Sequence, residues 1–518
     1  MRALIRPHIF SGTVQVPASK SHTIRRLIMA ALTEGSSRIE EPLDALDTRS
    51  CAAACRVLGA DLAEDRDSAG RLAGWIVQGR PGPDPTADRV KAANGALAGR
   101  TSVSRTSAGG VPPDAPPALC INVGNSGTTL FFALAAAALA SVPVTFTGDG
   151  QIARRSAGPL LDALAGLGVS VSSARGAGGD CGYTPMTVRG PWKGGRVSMP
   201  CPTSQYLSAL LIAAPLAPAG TVTEISVPLL NEKPYVDMTL DYLKTQGLFT
   251  GSPSAGSKNP ADAASGPAAV DMTAAGDAAV VMAADYSYVR IFGGRSYRPI
   301  NGPVPGDFSS AAFPAAAAAV SGGTVTLRGL DPADTQGDKV FFDHLVRMGC
   351  EVRWEKTAAA GCSGDAVNSP RSVTVSRTGP LRGGVFDLNA TPDMLPVMAA
   401  LAAHAEGETA LTNAAHARIK ETDRIAVMAG ELGKLGVSCQ ERPGGLIIRG
   451  KSGGGIPGSA APENAVIRLD GRGDHRIVMA LACAALGRSG FFGQTTEIAG
   501  AEAADVTYPG FLELLGVR

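Results

Sequence analysis

The chain lacks the features that mark several protein classes. Nine cysteines in 518 residues are sparse and odd in number, and no CxxC occurs. Cys51 and Cys55 stand as CxxxC, with no His or second Cys pair near them. This argues against a disulfide framework or a zinc module, and suits plain core thiols in a reducing compartment. No His/Asp/Glu cluster has metal-ligand spacing, so no metal and no other cofactor is expected. No Lys/Arg block stands out, and the formal net charge is +1. Nucleic-acid or anionic-membrane binding is therefore not expected. The Ala-rich runs are shorter than a membrane span, or are broken by Pro, Gly or charge. The opening "MRALIRPHIFSGTVQVPASK" has no apolar h-region. These absences point to a soluble cytoplasmic protein. With 45% hydrophobic and 18% charged residues, it builds cores, and it is too long for one ordinary domain.

What the sequence does have is internal repetition. One kind of segment is an Ala/Leu/Met-rich helix, then Gly, then a short strand. Examples are "IRRLIMAALTEGSSRI", "TTLFFALAAAALASVPVTFTG" and "HRIVMALACAALGRSGFFG". A second kind is a more polar helix ending in Gly, as in "LDALAGLGVSV", "FFDHLVRMGCEV" and "GELGKLGVSC". The two kinds alternate along the chain. The first is apolar nearly all round and should be buried, while the second has one wet face. Six copies of a helix–strand–helix–strand unit result, which divide naturally into two domains of three. Gly/Pro/Ser/Ala-rich stretches at 79–117, 251–276, 355–370 and 450–464 read as flexible surface loops without chemistry.

The polar residues collect where helices begin. Lys20, Ser21 and Arg25 share one start, and the loop 124–127 with Asn125, Ser126 and Gly127 makes another. Further starts carry Arg154 and Arg155; Thr203, Ser204 and Gln205; Glu232, Lys233 and Tyr235; Asp393; Lys420, Glu421, Asp423 and Arg424; and Asp474, His475 and Arg476. Ser126, Thr203 or Ser204, and Asp474 are explained as N-caps. The cations are not. A helix N-terminus carries partial positive charge, so Lys and Arg there oppose the dipole. Lys20, Arg25, Arg155, Lys420, Arg424 and Arg476 repeat that offence at equivalent points. If those starts converge, N–H groups, dipoles and cations make a site for several phosphates or carboxylates. His22 is expected on the exposed side of its helix start. "GNSGTT" lacks the GK[ST] ending of a phosphate loop, so it is weak evidence for nucleotide binding.

Eight motifs in order over nearly the whole chain resemble the 3-phosphoshikimate 1-carboxyvinyltransferase (EPSP synthase) family: "PASKSHTIRR", "GNSGTT", "PTSQYLSALL", "KPYVDMTL", "GDFSSAAF", "PDMLPVMAAL", "RIKETDR" and "GDHRIVMA". The resemblance implies an α/β fold, a two-domain inside-out α/β barrel with six βαβαββ units around buried parallel helices. Residues 19–304 would form one domain and 1–18 with 305–518 the other, with the substrate cleft between them. The implied reaction joins the enolpyruvyl group of phosphoenolpyruvate to the 5-hydroxyl of shikimate 3-phosphate by addition and elimination of phosphate, on the route to chorismate and aromatic amino acids. Carried over residue by residue, Lys20, Ser21, Arg25, Thr203, Ser204, Gln205, Tyr235, Asp393 and Lys420 would hold shikimate 3-phosphate. Lys20, Asn125, Gly127, Arg155, Gln205, Arg424 and Arg476 would hold phosphoenolpyruvate. Asp393 would take the 5-hydroxyl proton, and Glu421, with Lys20 as rival, would protonate C3. A monomer acting on small molecules is implied.

Some positions depart from the common pattern. His416 stands where many members have an Asn, Phe131 where an Arg is common, and Val506 where many have a Lys. Glu232 stands where a Ser often faces the substrate phosphate, and would repel it unless Lys233 or Arg25 compensates or the side chain points away. His475 is a further candidate to line the site. Two rivals were weighed. The sister family, UDP-N-acetylglucosamine enolpyruvyltransferase, commonly has Lys-Asn in place of Lys20-Ser21 and a Cys before the equivalent of Arg155. No Cys occurs here between 121 and 180. A non-catalytic anion-binding member of the fold would not need two acids among phosphates.

Overall fold

In a computed structural model, the described residues are 1–80, 119–251, 278–356, 370–450, 466–487 and 494–517. The stretches expected to be surface loops, 79–117, 251–276, 355–370 and 450–464, lie outside them except for their end residues.

The chain opens with β1 (Arg2–Ile5), β2 (Gly12–Gln15), α1 (Lys20–Ala31), β3 (Gly35–Glu40), α2 (Leu46–Val57), β4 (Asp61–Arg66) and β5 (Leu72–Gly79). Next come β6 (Leu119–Asn122), α3 (Gly127–Ala137), β7 (Val144–Thr147), α4 (Gly158–Gly166), β8 (Ser170–Arg175) and β9 (Cys181–Arg189). The same order recurs in β10 (Gly195–Ser198), α5 (Gln205–Ala213), β11 (Val222–Ser226), α6 (Lys233–Thr245), β12 (Val280–Met282) and β13 (Tyr288–Phe292), followed by β14 (Gly302–Pro303). Then follow α7 (Phe308–Ser321), β15 (Thr324–Arg328), α8 (Val340–Arg347), β16 (Cys350–Lys356) and β17 (Pro370–Arg377). The rest is β18 (Val385–Asp387), α9 (Leu395–Ala402), β19 (Glu408–Thr412), α10 (Arg424–Lys434), β20 (Ser438–Arg442), β21 (Gly445–Arg449), β22 (Ile467–Asp470), α11 (His475–Ala485), β23 (Thr496–Ala499) and α12 (Phe511–Leu514).

Six sheets are described. Five have four strands, in the orders β14-β3-β5-β4, β6-β7-β9-β8, β10-β11-β13-β12, β2-β15-β17-β16 and β18-β19-β21-β20, and the sixth is β1-β23-β22. One pair in each is parallel, such as β6 with β7 or β22 with β23, and the other pairs are antiparallel. A parallel pair needs a crossover, and the apolar helix supplies it in β6-α3-β7, β10-α5-β11, β18-α9-β19 and β22-α11-β23. The polar helix then leads into a hairpin. Five sheets complete the βαβαββ repeat that the resemblance implied; in the sixth, β22-α11-β23 is followed by α12 alone, and β1 supplies the third strand. Two sheets borrow the parallel strand from a distant stretch: β14 lies beside β3, and β2 beside β15.

The contacts divide the chain into two compact units. One holds Met1–His22, Leu43–Leu46 and Val304–Arg518, and the other Thr23–Pro42 and Asp47–Pro303. Each contains three of the sheets. In the first unit α7, α9 and α11 pack on one another, and every residue of all three is buried. Alanine makes that possible, because small side chains let helices approach on every side. In the second unit α3 and α5 pack together, α3 is buried throughout, and α5 is buried but for Gln205. The wet-faced α10 buries Ile425, Met428 and Leu432. It stops at Gly436, whose φ of +72° is a left-handed conformation that a Cβ would oppose. No helix among the described residues is long and apolar enough to cross a membrane.

Candidate active site

The start of α10 resolves the misplaced cations of the first unit. Asp423 is the cap: its carboxylate accepts from the N–H of Ala426 at 3.0 Å and pairs with Arg418 at 2.6 Å. Arg424, the first helical residue, turns inward and is fully buried. Its Nε and one terminal nitrogen grip Asp474 at 2.9 and 3.2 Å. The other terminal nitrogen meets Asp393 at 2.7 Å, and the one on Asp474 also donates to Glu421 at 2.5 Å. Asp474 is itself the cap of α11, accepting from the N–H of Arg476 at 2.9 Å. One guanidinium thus joins two helix starts and the turn that leads into α9.

Asp393 is the centre of the positive field. Besides Arg424, Arg476 reaches its second oxygen at 3.1 Å and Lys420 stands 3.5 Å away. Burial pushes the Asp393 carboxyl up, but Arg476, Lys420, Arg424 and Lys20 outweigh it and hold it well below the usual carboxylate range. Arg424 is the mirror case: burial opposes its charge, and Asp474, Glu421 and Asp393 overcome that and raise it. His475 is buried beside them. Burial first, then Lys20, push its imidazole well below the ordinary range, so it is neutral. Its Nε2 has no hydrogen-bond partner among the described residues.

Two acids that the sequence reading did not single out join this cluster. Asp307 caps α7, accepting from the N–H of Ser309 and the hydroxyl of Ser310. Burial raises it, against the pull of Arg476 and Lys20. Asp338 accepts from the hydroxyl of Ser309. Burial pushes it up to about 6, with Arg476 opposing. The signal for Asp307 was present: an Asp directly before the apolar run in "GDFSSAAF" is a cap signature. Asp338 had no local signal, since its partner lies 29 residues away.

The second unit gathers a different set. Arg25 is buried in α1, donates to Thr239 at 2.9 Å and to the Tyr235 carbonyl at 2.8 Å, and lies over the Phe132 ring. Burial lowers its guanidinium to about 10. Arg155 sits directly over Gly127 at the start of α3, where an added Cβ would come within 2.3 Å of its terminal nitrogen. Ser126 caps α3, accepting from the N–H of Thr129. Asn125 donates to Asp149 and Gln151 at 2.8 and 2.6 Å. Gln205 donates to Thr128 at 3.1 Å. Phe131 packs edge-on against Tyr206, 5.0 Å between centroids, and the Tyr206 hydroxyl holds the carbonyl of Ser156. The residue in the place of an Arg therefore supports the turn that carries Arg155.

Glu232 is buried, and its carboxylate turns toward Thr203 and Ser204. One of its oxygens accepts from the Thr203 hydroxyl, the Ser204 hydroxyl and the Ser204 N–H, at 3.0, 3.0 and 3.1 Å. Of Thr203 and Ser204, either expected as the cap of α5, Ser204 makes no side-chain cap bond, and the Thr203 hydroxyl accepts from the Gln205 N–H at 3.5 Å. His22 also differs from expectation. It is buried, not exposed, and bonds Asp334 at 3.2 Å, because the helix start faces β-turn residues 331–336 of its own unit. Burial pushes Asp334 up, but His22 and the Gln336 bonds together outweigh it and leave it lowered. His416 is buried against the Asn389 carbonyl at 3.1 Å. Ser21, beside Lys20, is partly exposed, and so is Val506, in the 3-10 turn Ala501–Val506. No group of three or more His, Cys, Asp or Glu among the described residues could hold a metal ion.

The cations gathered in each unit can bind several anions. A family model described as EPSP synthase (3-phosphoshikimate 1-carboxyvinyltransferase) matches residues 6–107, 102–252 and 267–515. A 3-phosphoshikimate 1-carboxyvinyltransferase of Acetivibrio thermocellus is 39% identical over 513 residues, covering 99% of this chain and 96% of that protein. One of Halobacterium salinarum is 36% identical over 521 residues, covering 99% and 98%. Among solved structures, EPSP synthase from Acinetobacter baumannii has a TM-score of 0.66 at 22% identity, covering 99% of this chain and 97% of that one. The enolpyruvyl transferase NikO from Streptomyces tendae has 0.59 at 18%, covering 100% and 98%. These two structural likenesses speak for the fold.

Proposed function

The chain belongs to the EPSP synthase (3-phosphoshikimate 1-carboxyvinyltransferase) family, and from that premise we propose how its residues carry the family's reaction. The enzyme transfers the enolpyruvyl group of phosphoenolpyruvate to the 5-hydroxyl of shikimate 3-phosphate and releases phosphate. The observation that carries the residue assignment is the Asp393 carboxylate held by Lys420, Arg424 and Arg476.

So held, Asp393 is a weak base. The two substrates bring two phosphates and two carboxylates, which compete for the same cations. As they dock, Lys420, Arg424 and Arg476 turn part of their attraction to the substrates, and Asp393 regains basicity beside the 5-hydroxyl. Binding energy is thereby converted into activation of the base. Asp393 takes the hydroxyl proton as the 5-oxygen bonds to C2 of phosphoenolpyruvate. C3 gains a proton from Glu421, with Lys20 as rival donor. Protonating Glu421 gives up the charge of its pair with Arg424, so that step also waits for a substrate anion to occupy Arg424. Loss of the C3 proton and departure of phosphate then complete the transfer. Neutral His475 adds no charge to the field.

In the second unit, Arg155 over Gly127, with Asn125 and Gln205, is assigned to phosphoenolpyruvate. Thr203, Ser204, Arg25 and Tyr235 are assigned to shikimate 3-phosphate, with Ser21, Lys20 and Lys420 from the first unit. We place the reaction in the cytoplasm, on a monomer; the described cysteines are all free thiols, as a reducing compartment requires. The test is phosphate release from phosphoenolpyruvate with shikimate 3-phosphate, and separately with UDP-N-acetylglucosamine. Release only with the latter overturns the reading. In the same assay Asp393→Ala and Glu421→Ala should lose about 10²- to 10⁴-fold in kcat, with far smaller changes in KM. A loss confined to KM would make them ligands.

A further inference from the structure

We infer that Glu232 is a displaceable stand-in for the phosphate of the acceptor substrate, and that it sets which anions this pocket admits. The inference rests on the assignment of Thr203 and Ser204 to shikimate 3-phosphate. Its own observations concern what occupies those groups when no substrate is there.

Glu232 precedes α6 with φ +58° and ψ +40°. That left-handed backbone is unfavourable for a residue with a Cβ, and it persists only where the surroundings hold it. What holds it is visible. A single carboxylate oxygen accepts three bonds, from the Thr203 hydroxyl, the Ser204 hydroxyl and the Ser204 N–H. The side chain is 2% exposed. The geometry is that of an anion seated at the start of α5, and the anion is supplied by the chain itself. Thr203 also lies against the N–H of Gln205, the first residue of α5, so the seat opens on the one residue of that helix that is not buried.

A carboxylate and a phosphate cannot share these donors. Both are anionic, and in a buried site their repulsion is poorly screened. The substrate phosphate must therefore move the Glu232 side chain, which has three rotatable bonds and can leave while α5 and α6 stay in place. Lys233, the next residue, lies over the Tyr286 ring, and Arg25 bonds the carbonyl of Tyr235 three residues on. The consequence is a threshold: displacing Glu232 costs every anion that takes the seat alike. An empty seat of buried donors would attract any small anion, including the inorganic phosphate that the reaction releases. With Glu232 in it, an anion must bring further contacts to win. Shikimate 3-phosphate brings them through Arg25, Tyr235 and Gln205, and free phosphate does not.

The experiment uses the full chain and calorimetric binding of shikimate 3-phosphate and of inorganic phosphate. Glu232→Gly removes the carboxylate at a backbone position that suits glycine. Glu232→Gln keeps the shape and an acceptor oxygen, so it preserves the fold and removes only the charge. Affinity for shikimate 3-phosphate should rise about tenfold in the Gly variant, about 1.4 kcal/mol, and by less in the Gln variant. Inorganic phosphate should gain at least as much, and become a stronger product inhibitor. If both ligands bind the two variants no better than the wild type, Glu232 is a structural cap and the inference falls. Wild-type turnover separates the two levels. No phosphate release from phosphoenolpyruvate and shikimate 3-phosphate sinks the functional reading, whereas turnover with unmoved affinities sinks only the stand-in.

Discussion

Asp338 is a carboxyl group that the fold prefers to keep protonated. Burial lifts it to about 6, among Arg476, Asp393, Asp307 and the Ser309 hydroxyl. Its unfolded value lies near 3.9. The folded state therefore binds more protons between these two values. The contribution to stability is full below the unfolded pKa and is lost as pH rises through about 6. Asp338→Asn removes the titration while keeping an acceptor for Ser309. Its stability relative to wild type should improve by about 2 kcal/mol between pH 4 and pH 8. Melting curves of both proteins across that range decide it, and a constant gap would refute it. Single residues were legible in the sequence where they broke a rule. Lys420, Arg424 and Arg476 opposed a helix dipole, and that offence marked them. Asp338 and Glu232 broke no local rule. Their meaning lies in Ser309 and in Thr203 and Ser204, which are distant along the chain, so only the fold reveals it. His22 was misread for the same reason: its partner Asp334 is 312 residues away.

At the scale of elements, the start of α3 is built around an absent side chain. Arg155 fills the space a Cβ on Gly127 would need. Gly127→Ala should displace that guanidinium, and because small misplacements of positioning groups are costly, KM for phosphoenolpyruvate should rise at least about tenfold. Affinity for shikimate 3-phosphate should change much less. Equal losses for both substrates, or none, would remove Arg155 from the assigned site. The helices themselves were readable, because all-apolar and one-faced runs alternate and each needs a different depth of burial. The sheets were readable as a count of six, but not in their pairing. β14 is two residues long, and its partner β3 lies more than 250 residues earlier. No local pattern specifies such a match, only the family resemblance and the closed fold.

For the molecule as a whole, the longest Gly/Pro/Ser/Ala-rich stretch, 79–117, contains none of the assigned residues. Replacing residues 86–112 by a Gly/Ser sequence of equal length should leave kcat/KM within about threefold, since the stretch is Gly/Pro/Ser/Ala-rich without a period and holds none of the assigned residues. A larger loss would give that stretch a part in the chemistry. The sheet pairings also bear on how the chain is made. The second unit closes when β14 emerges and meets β3. The first unit cannot close so early. β1 pairs with β23 and β2 with β15, so the strands synthesised first wait for partners translated much later. The unit of Thr23–Pro42 and Asp47–Pro303 has all its described strands once β14 is made, while the other still waits for β15 to β23. Premature stops after β14 should therefore leave one finished half tethered to unpaired strands, a natural substrate for chaperones and proteases.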